Sequence, residues 1–108
     1  MIAINKTPQE FEAAFVEFVA QAQVKVNTYY AKNFPTLKTP KIEFEPGRRY
    51  IRLIETGESQ RSCFGFIDAT NGDVLKSAGW KSPAKNFARG NLFDANGGLG
   101  RVGPYGIG

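Results

Sequence analysis

Ile42-Glu43-Phe44-Glu45-Pro46-Gly47-Arg48-Arg49-Tyr50-Ile51-Arg52-Leu53-Ile54-Glu55 is the stretch that decides the fold. Apolar and polar residues alternate on both sides of a Pro-Gly pair, which reads as two strands joined by a turn. The meander continues beyond it. Thr56-Gly57-Glu58-Ser59-Gln60 is a polar connection to Ser62-Cys63-Phe64-Gly65-Phe66-Ile67-Asp68, and Thr70-Asn71-Gly72 signals a hairpin into Asp73-Val74-Leu75-Lys76. Three or four antiparallel strands are expected over residues 41–76.

Upstream the apolar period is helical. Thr7-Pro8-Gln9-Glu10 has the form of a capping box, with Pro8 at the first helical position. Phe11, Ala14, Phe15, Phe18, Val19, Ala22, Val26 and Tyr29 then recur at spacings of three and four, one apolar stripe on an amphipathic helix over residues 8–33. Phe34-Pro35 ends it, because the residue before proline is pushed out of helical geometry. A long helix packed on one face of an antiparallel meander is a two-layer α+β domain. No linker or repeat divides the chain, so residues 1–108 are read as one domain.

Downstream, Trp80-Lys81-Ser82-Pro83-Ala84-Lys85-Asn86-Phe87-Ala88-Arg89-Gly90 reads as a short helix near 83–89, with Ser82 as its cap and Gly90 as its stop. Such a start would present unpaired N–H groups to an anion, with Lys81, Lys85 and Arg89 adding charge and Trp80 a flat ring. Trp80, Lys81, Ser82, Lys85 and Arg89 are thus the first candidate site for phosphate or nucleic acid. The plainer alternative is that Trp80 and Phe87 anchor the helix to the core beneath a solvated charged face. Arg48, Arg49, Tyr50 and Arg52 form a second candidate patch. Were Tyr50 and Arg52 to share an open face with Phe64 or Phe66, they would make a stacking platform for single strands.

The remaining residues, 77–108, hold 8 of the 12 glycines. Leu99, Val102, Tyr105 and Ile107 are nonetheless too apolar for a freely solvated tail. The segment packs either on its own domain or on another copy or partner, for which these four residues would be the interface.

Composition narrows the chemistry. There is no histidine and one cysteine, Cys63, which leaves neither a zinc site nor a histidine-based nucleophilic pair to build and excludes an internal disulfide. Cys63 sits in an apolar run and is expected to be structural. No catalytic or metal-ligating constellation and no cofactor motif stands out, so a non-enzymatic role is expected. Asp68 and Asp73 flank the Asn71-Gly72 turn but supply too few ligands for a metal. Gly97-Gly98-Leu99-Gly100-Arg101 lacks the lysine and hydroxyl residue of a phosphate loop. Phe64-Gly65-Phe66-Ile67 echoes an RNA-recognition core, but Ser62-Cys63 replaces its basic-glycine start and the element order differs.

The formal charge is +4, and residues 1–40, 41–76 and 77–108 carry +1, 0 and +3. That asymmetry favours an anionic partner. Met1-Ile2-Ala3-Ile4-Asn5-Lys6 turns polar too soon for a secretory signal, and no stretch reaches the length of a spanning helix. The expectation is a soluble cytoplasmic protein without a membrane partner.

The run from Phe66 to Lys76, Trp80-Lys81-Ser82-Pro83-Ala84-Lys85, Arg89-Gly90-Asn91 and Gly103-Pro104-Tyr105-Gly106 resembles small proteins of unassigned function encoded by tailed bacteriophages. The resemblance spans about residues 48–106 and omits the first helix. It implies a protein acting in the infected host's cytoplasm or in a virion, and implies no activity. The expected function is binding of an anionic polymer, single-stranded or nonspecific nucleic acid foremost. The alternatives are a protein-interaction or structural module that docks on a host or phage protein or on its own copy through the C-terminal segment, and a nucleotide sponge.

Overall fold

The computed structural model describes residues 6–108. Most of the start, and with it the reading of that start as no secretory signal, lies outside them. Helix α1 spans Pro8–Asn33. Thr7 N donates to Glu10 Oε1 at 2.8 Å and Glu10 N donates to Thr7 Oγ1 at 3.1 Å, so the capping box satisfies two donors that a helix start would otherwise leave unpaired. The helix buries Phe15, Phe18, Ala22 and Val26 and stops at Phe34, whose N–H donates to the Tyr30 carbonyl at 2.8 Å. No helix among the described residues is long and apolar enough to cross a membrane.

Strands β1 (Lys41–Pro46), β2 (Tyr50–Thr56), β3 (Arg61–Asp68), β4 (Asp73–Leu75) and β5 (Gly90–Asn91) form a five-stranded antiparallel sheet in chain order. The fifth strand is a correction to the expected three or four. It is two residues long, too short to carry an alternating pattern. Helix α1 covers one face, where Ile42, Leu53, Phe64, Ile67 and Val74 meet its apolar stripe. The protein is therefore α+β.

A bulge divides the aromatic residues of β3. Leu53 pairs with Gly65 and Ile54 with Cys63, leaving Phe64 as the extra residue. Phe64 consequently points into the helix-side core, while Phe66, opposite Arg52, lies on the other face. The two phenylalanines do not share a face.

The short helix expected near 83–89 is absent. Ser77 bridges to Pro83, Ala84 N donates to the Lys76 carbonyl at 2.7 Å and Arg89 N to the Val74 carbonyl at 2.7 Å, so the segment runs extended beside β4. A seven-residue helix without an apolar stripe gains too little to compete with these bonds. Asn86 also bonds the N–H of Phe87 through its own Oδ1, a local contact that favours turns over helix.

The glycine-rich tail packs on its own domain. Val102 and Ile107, on the hairpin of β6 (Val102–Gly103) and β7 (Gly106–Ile107), join Leu92 in the core, and Leu99 packs against it. Lys25 Nζ donates to the carbonyls of Leu99 and Val102, both at 3.2 Å. Of the four residues considered for an intersubunit interface, three are consumed within the fold. Tyr105 alone stays 58% exposed, resting edge-on against Tyr29.

Candidate nucleic-acid interface

The alternation of β2 sends Ile51 and Leu53 toward the helix and Tyr50 and Arg52 toward the opposite face. There the Arg52 guanidinium lies 5.0 Å from the centre of the Trp80 ring and 5.9 Å from that of Phe66. Arg61 lies 5.4 Å from the same Trp80 ring. Tyr50 meets Phe66 edge to face at 6.5 Å, and is itself approached by Arg49 at 5.3 Å and Lys85 at 5.6 Å. Cations and rings thus interleave across the sheet, an arrangement in which each ring's electron-rich face holds a positive charge in place.

Accessibility within this array is uneven. Trp80 is 39% exposed and Phe87 50%, but Phe66 is buried beneath the guanidinium of Arg52 and offers no free face. Arg52 and Arg61 are both paired to Glu45, at 2.9 and 3.3 Å, and Arg49 to Asp68 at 3.2 Å. Among the described residues Arg48, Lys81 and Lys85 make no ion pair.

Two hollows of about 310 Å³ each open on this face, and Arg49 and Tyr50 line both. Arg48, Arg52 and Lys81 border the first, together with Glu45. The second lies between Tyr50 and Phe87, with Asp68, Asn71, Asp73 and Lys85 around it. Tyr50 is the wall between them.

The candidate residues therefore come together differently from the expected helix start. Lys81 and Lys85 fall in separate hollows. Ser82 caps nothing: its carbonyl accepts from the N–H groups of Ala78 and Gly79 at 3.0 and 3.3 Å, closing the turn that carries Trp80. Arg89 is turned inward, stacked 3.9 Å over the Phe87 ring and donating to the Phe87 carbonyl at 2.7 Å. The second patch, Arg48, Arg49, Tyr50 and Arg52, supplies most of the site.

Asp68 is occupied structurally. Its Oδ1 accepts from Thr70 N and Oγ1 at 2.8 and 2.6 Å. Burial opposes its ionisation, but the bonds from Thr70 and Arg49 prevail and hold the carboxyl below the ordinary aspartate range. Among the described residues no three metal-ligating side chains converge. Cys63 is half-buried, and that burial pushes its thiol up.

Reading the sequence missed Arg61 and the Asp73–Phe87 hollow. Arg61 reaches Trp80 only because the turn at 78–82 folds back over the sheet. The alternative in which Phe87 anchors the segment to the core fails, since that residue is 50% exposed and lines the second hollow.

The fold and this face define a small two-layer module with a cationic, aromatic surface on the sheet side that the helix leaves open. The chain belongs to DUF7717, a family of unknown function, whose model matches residues 3–100. No curated protein and no solved structure matches it.

Proposed function

We propose that this protein is a non-enzymatic binder of single-stranded nucleic acid, using the sheet face opposite α1. The observation that carries the reading is the interleaving of Arg49, Arg52, Arg61 and Lys85 with the rings of Tyr50 and Trp80 beside two hollows edged by cations. Bases have a π-face whatever their sequence, and phosphates are met by Arg48, Lys81 and Lys85, which make no ion pair among the described residues. On the resemblance to tailed-phage proteins we assign this activity to the cytoplasm of an infected bacterium.

The test uses Trp80, the sole tryptophan, as its own probe. A single-stranded oligonucleotide should quench its fluorescence at about 20 mM salt. Affinity should fall with salt at a log-log slope of about −2, the value for three phosphate contacts. Replacing Arg48, Lys81 and Lys85 together with glutamine should flatten that slope. Absence of binding at low salt would overturn the reading.

A second reading, a protein-interaction module that docks on a second copy of this chain, is favoured by one observation. Val16 and Phe44 are exposed beside an apolar groove between the start of α1 and the open edge of β1. Were oligonucleotides to fail and sedimentation to show self-association lost on replacing Phe44 with serine, this reading would take precedence.

A further inference from the structure

The second hollow differs from the first in one chemical respect: it combines two aromatic walls with an acceptor that the fold leaves unused. Asp73 Oδ1 accepts from Asn91 Nδ2 at 3.0 Å, which fixes the carboxylate, while among the described residues no side chain or N–H donates to Oδ2. Asn71 is fixed the same way. Its Oδ1 accepts from Asp73 N at 2.8 Å and its carbonyl from Asn91 Nδ2 at 2.9 Å, so its amide nitrogen is left as a donor. Lys85, held near the Tyr50 ring, adds a second donor at the rim. Asp68, the other carboxylate there, is already spent on Thr70 and Arg49.

We propose that this hollow is a guanine-selective subsite, an inference that rests on the sheet face being a single-strand binder. A carboxylate accepts and cannot donate. On its Watson–Crick edge guanine alone presents two adjacent donors, N1–H and the N2 amino group, to which a carboxylate oxygen is complementary, next to an acceptor, O6, that suits Asn71 or Lys85. Adenine and cytosine would each set a ring nitrogen lone pair against Asp73, and uracil would set two carbonyls beside its one donor. An unstacked base between Tyr50 and Phe87 exposes this edge, the mode by which single strands are read. Its phosphate would lie toward the first hollow, where Arg48 and Lys81 make no ion pair among the described residues. Stacking supplies affinity on this face and Asp73 supplies the choice of base.

The test compares fluorescein-labelled uridine nonamers that carry guanosine, adenosine, cytidine or uridine at the centre, by anisotropy with the whole chain. The guanosine oligomer should bind about tenfold more tightly than the other three. D73N should abolish the preference and bring the four affinities together, the lost negative charge shifting all four in the same direction. Should D73N lose its melting transition, F87A replaces it: Phe87 is half-exposed, and its removal should weaken the guanosine oligomer more than the uridine one. GMP as competitor should displace the guanosine oligomer only at far higher concentration than an unlabelled oligomer does. Displacement at equal concentration would make this a free-nucleotide site and overturn the assignment to a strand. Four equal affinities for the native chain would overturn the guanine subsite and leave the single-strand reading standing, whereas failure of every oligomer to bind would remove both.

Discussion

The side chain of Arg52 holds Trp80 in two ways at once: its Nε donates to the Trp80 carbonyl at 2.7 Å while its guanidinium lies 5.0 Å from the ring centre. The turn at 78–82 is thereby tied to the middle of β2. Replacing Arg52 with alanine should cost about 1–3 kcal/mol of stability, the range for a hydrogen bond from a charged group together with a cation–π contact. It should also raise acrylamide quenching of Trp80. Unchanged quenching would show that the turn holds its place without Arg52.

Glu55 carries the clearest pH signature. It is 7% exposed, its Oε2 has no hydrogen-bond partner, and burial pushes its carboxyl up to about 7; the titratable groups it influences are Tyr30 and Tyr105. A carboxyl raised in the folded state binds its proton more tightly there than in the unfolded chain, so stability falls as pH rises from about 4.5 to about 7 and levels off above. Melting temperature should drop by several degrees across that window, and E55Q should abolish the drop. A native chain that grows more stable from pH 5 to pH 7 would contradict the assignment.

Gly98 is fixed by close approach. Its φ is +82°, and a Cβ there would sit 2.8 Å from the Asn91 carbonyl oxygen and 2.9 Å from Val74 Cγ2. Neither β5 nor the β4 edge has room to move without breaking pairing. G98A should cost at least about 1–3 kcal/mol in chemical denaturation. A cost below about 0.5 kcal/mol would mean that β5 contributes little.

The tail separates core from surface within three residues. Ile107→Ala removes a buried side chain of the shared core and should cost about 2–5 kcal/mol, while Tyr105→Ala, at an exposed ring, should cost under about 1 kcal/mol. Equal small costs would mark the tail as peripheral. An unaltered melting point after deletion of residues 98–108 would do so more strongly.

What the sequence disclosed about this fold was local. Thr7 and Glu10 meet within one turn, so their motif sufficed, and Asn71-Gly72 closes its own hairpin, with Gly72 at φ +83°. The stripe from Phe11 to Val26 likewise needs only a helix to exist. Pro83 to Arg89 went the other way, since the deciding partners are the Lys76 and Val74 carbonyls of a strand edge that the segment cannot announce in its own residues. The bulge at Phe64 was hidden for a similar reason: the pairing of Gly65 with Leu53 shifts the facing of every residue before it. Of the site, the residue types and the basic patch at 48–52 were legible. Which cations remain unpaired, and that Arg89 turns inward, depended on the register that brings Glu45 to Arg52 and on the extended path that lays Arg89 over Phe87.

Ile107 has a bearing on how the chain acquires its shape. Its side chain lies where a Cβ on Gly65 would collide with it, so the helix-side core, begun by Phe15 near the start of α1, is closed by one of the last residues described. Emerging from a ribosome, α1 and the first four strands would be assembled with a gap in their centre and their apolar surface unsealed. Ile107 is synthesised after every other member of this core, so its contact with β3 is among the last that can form.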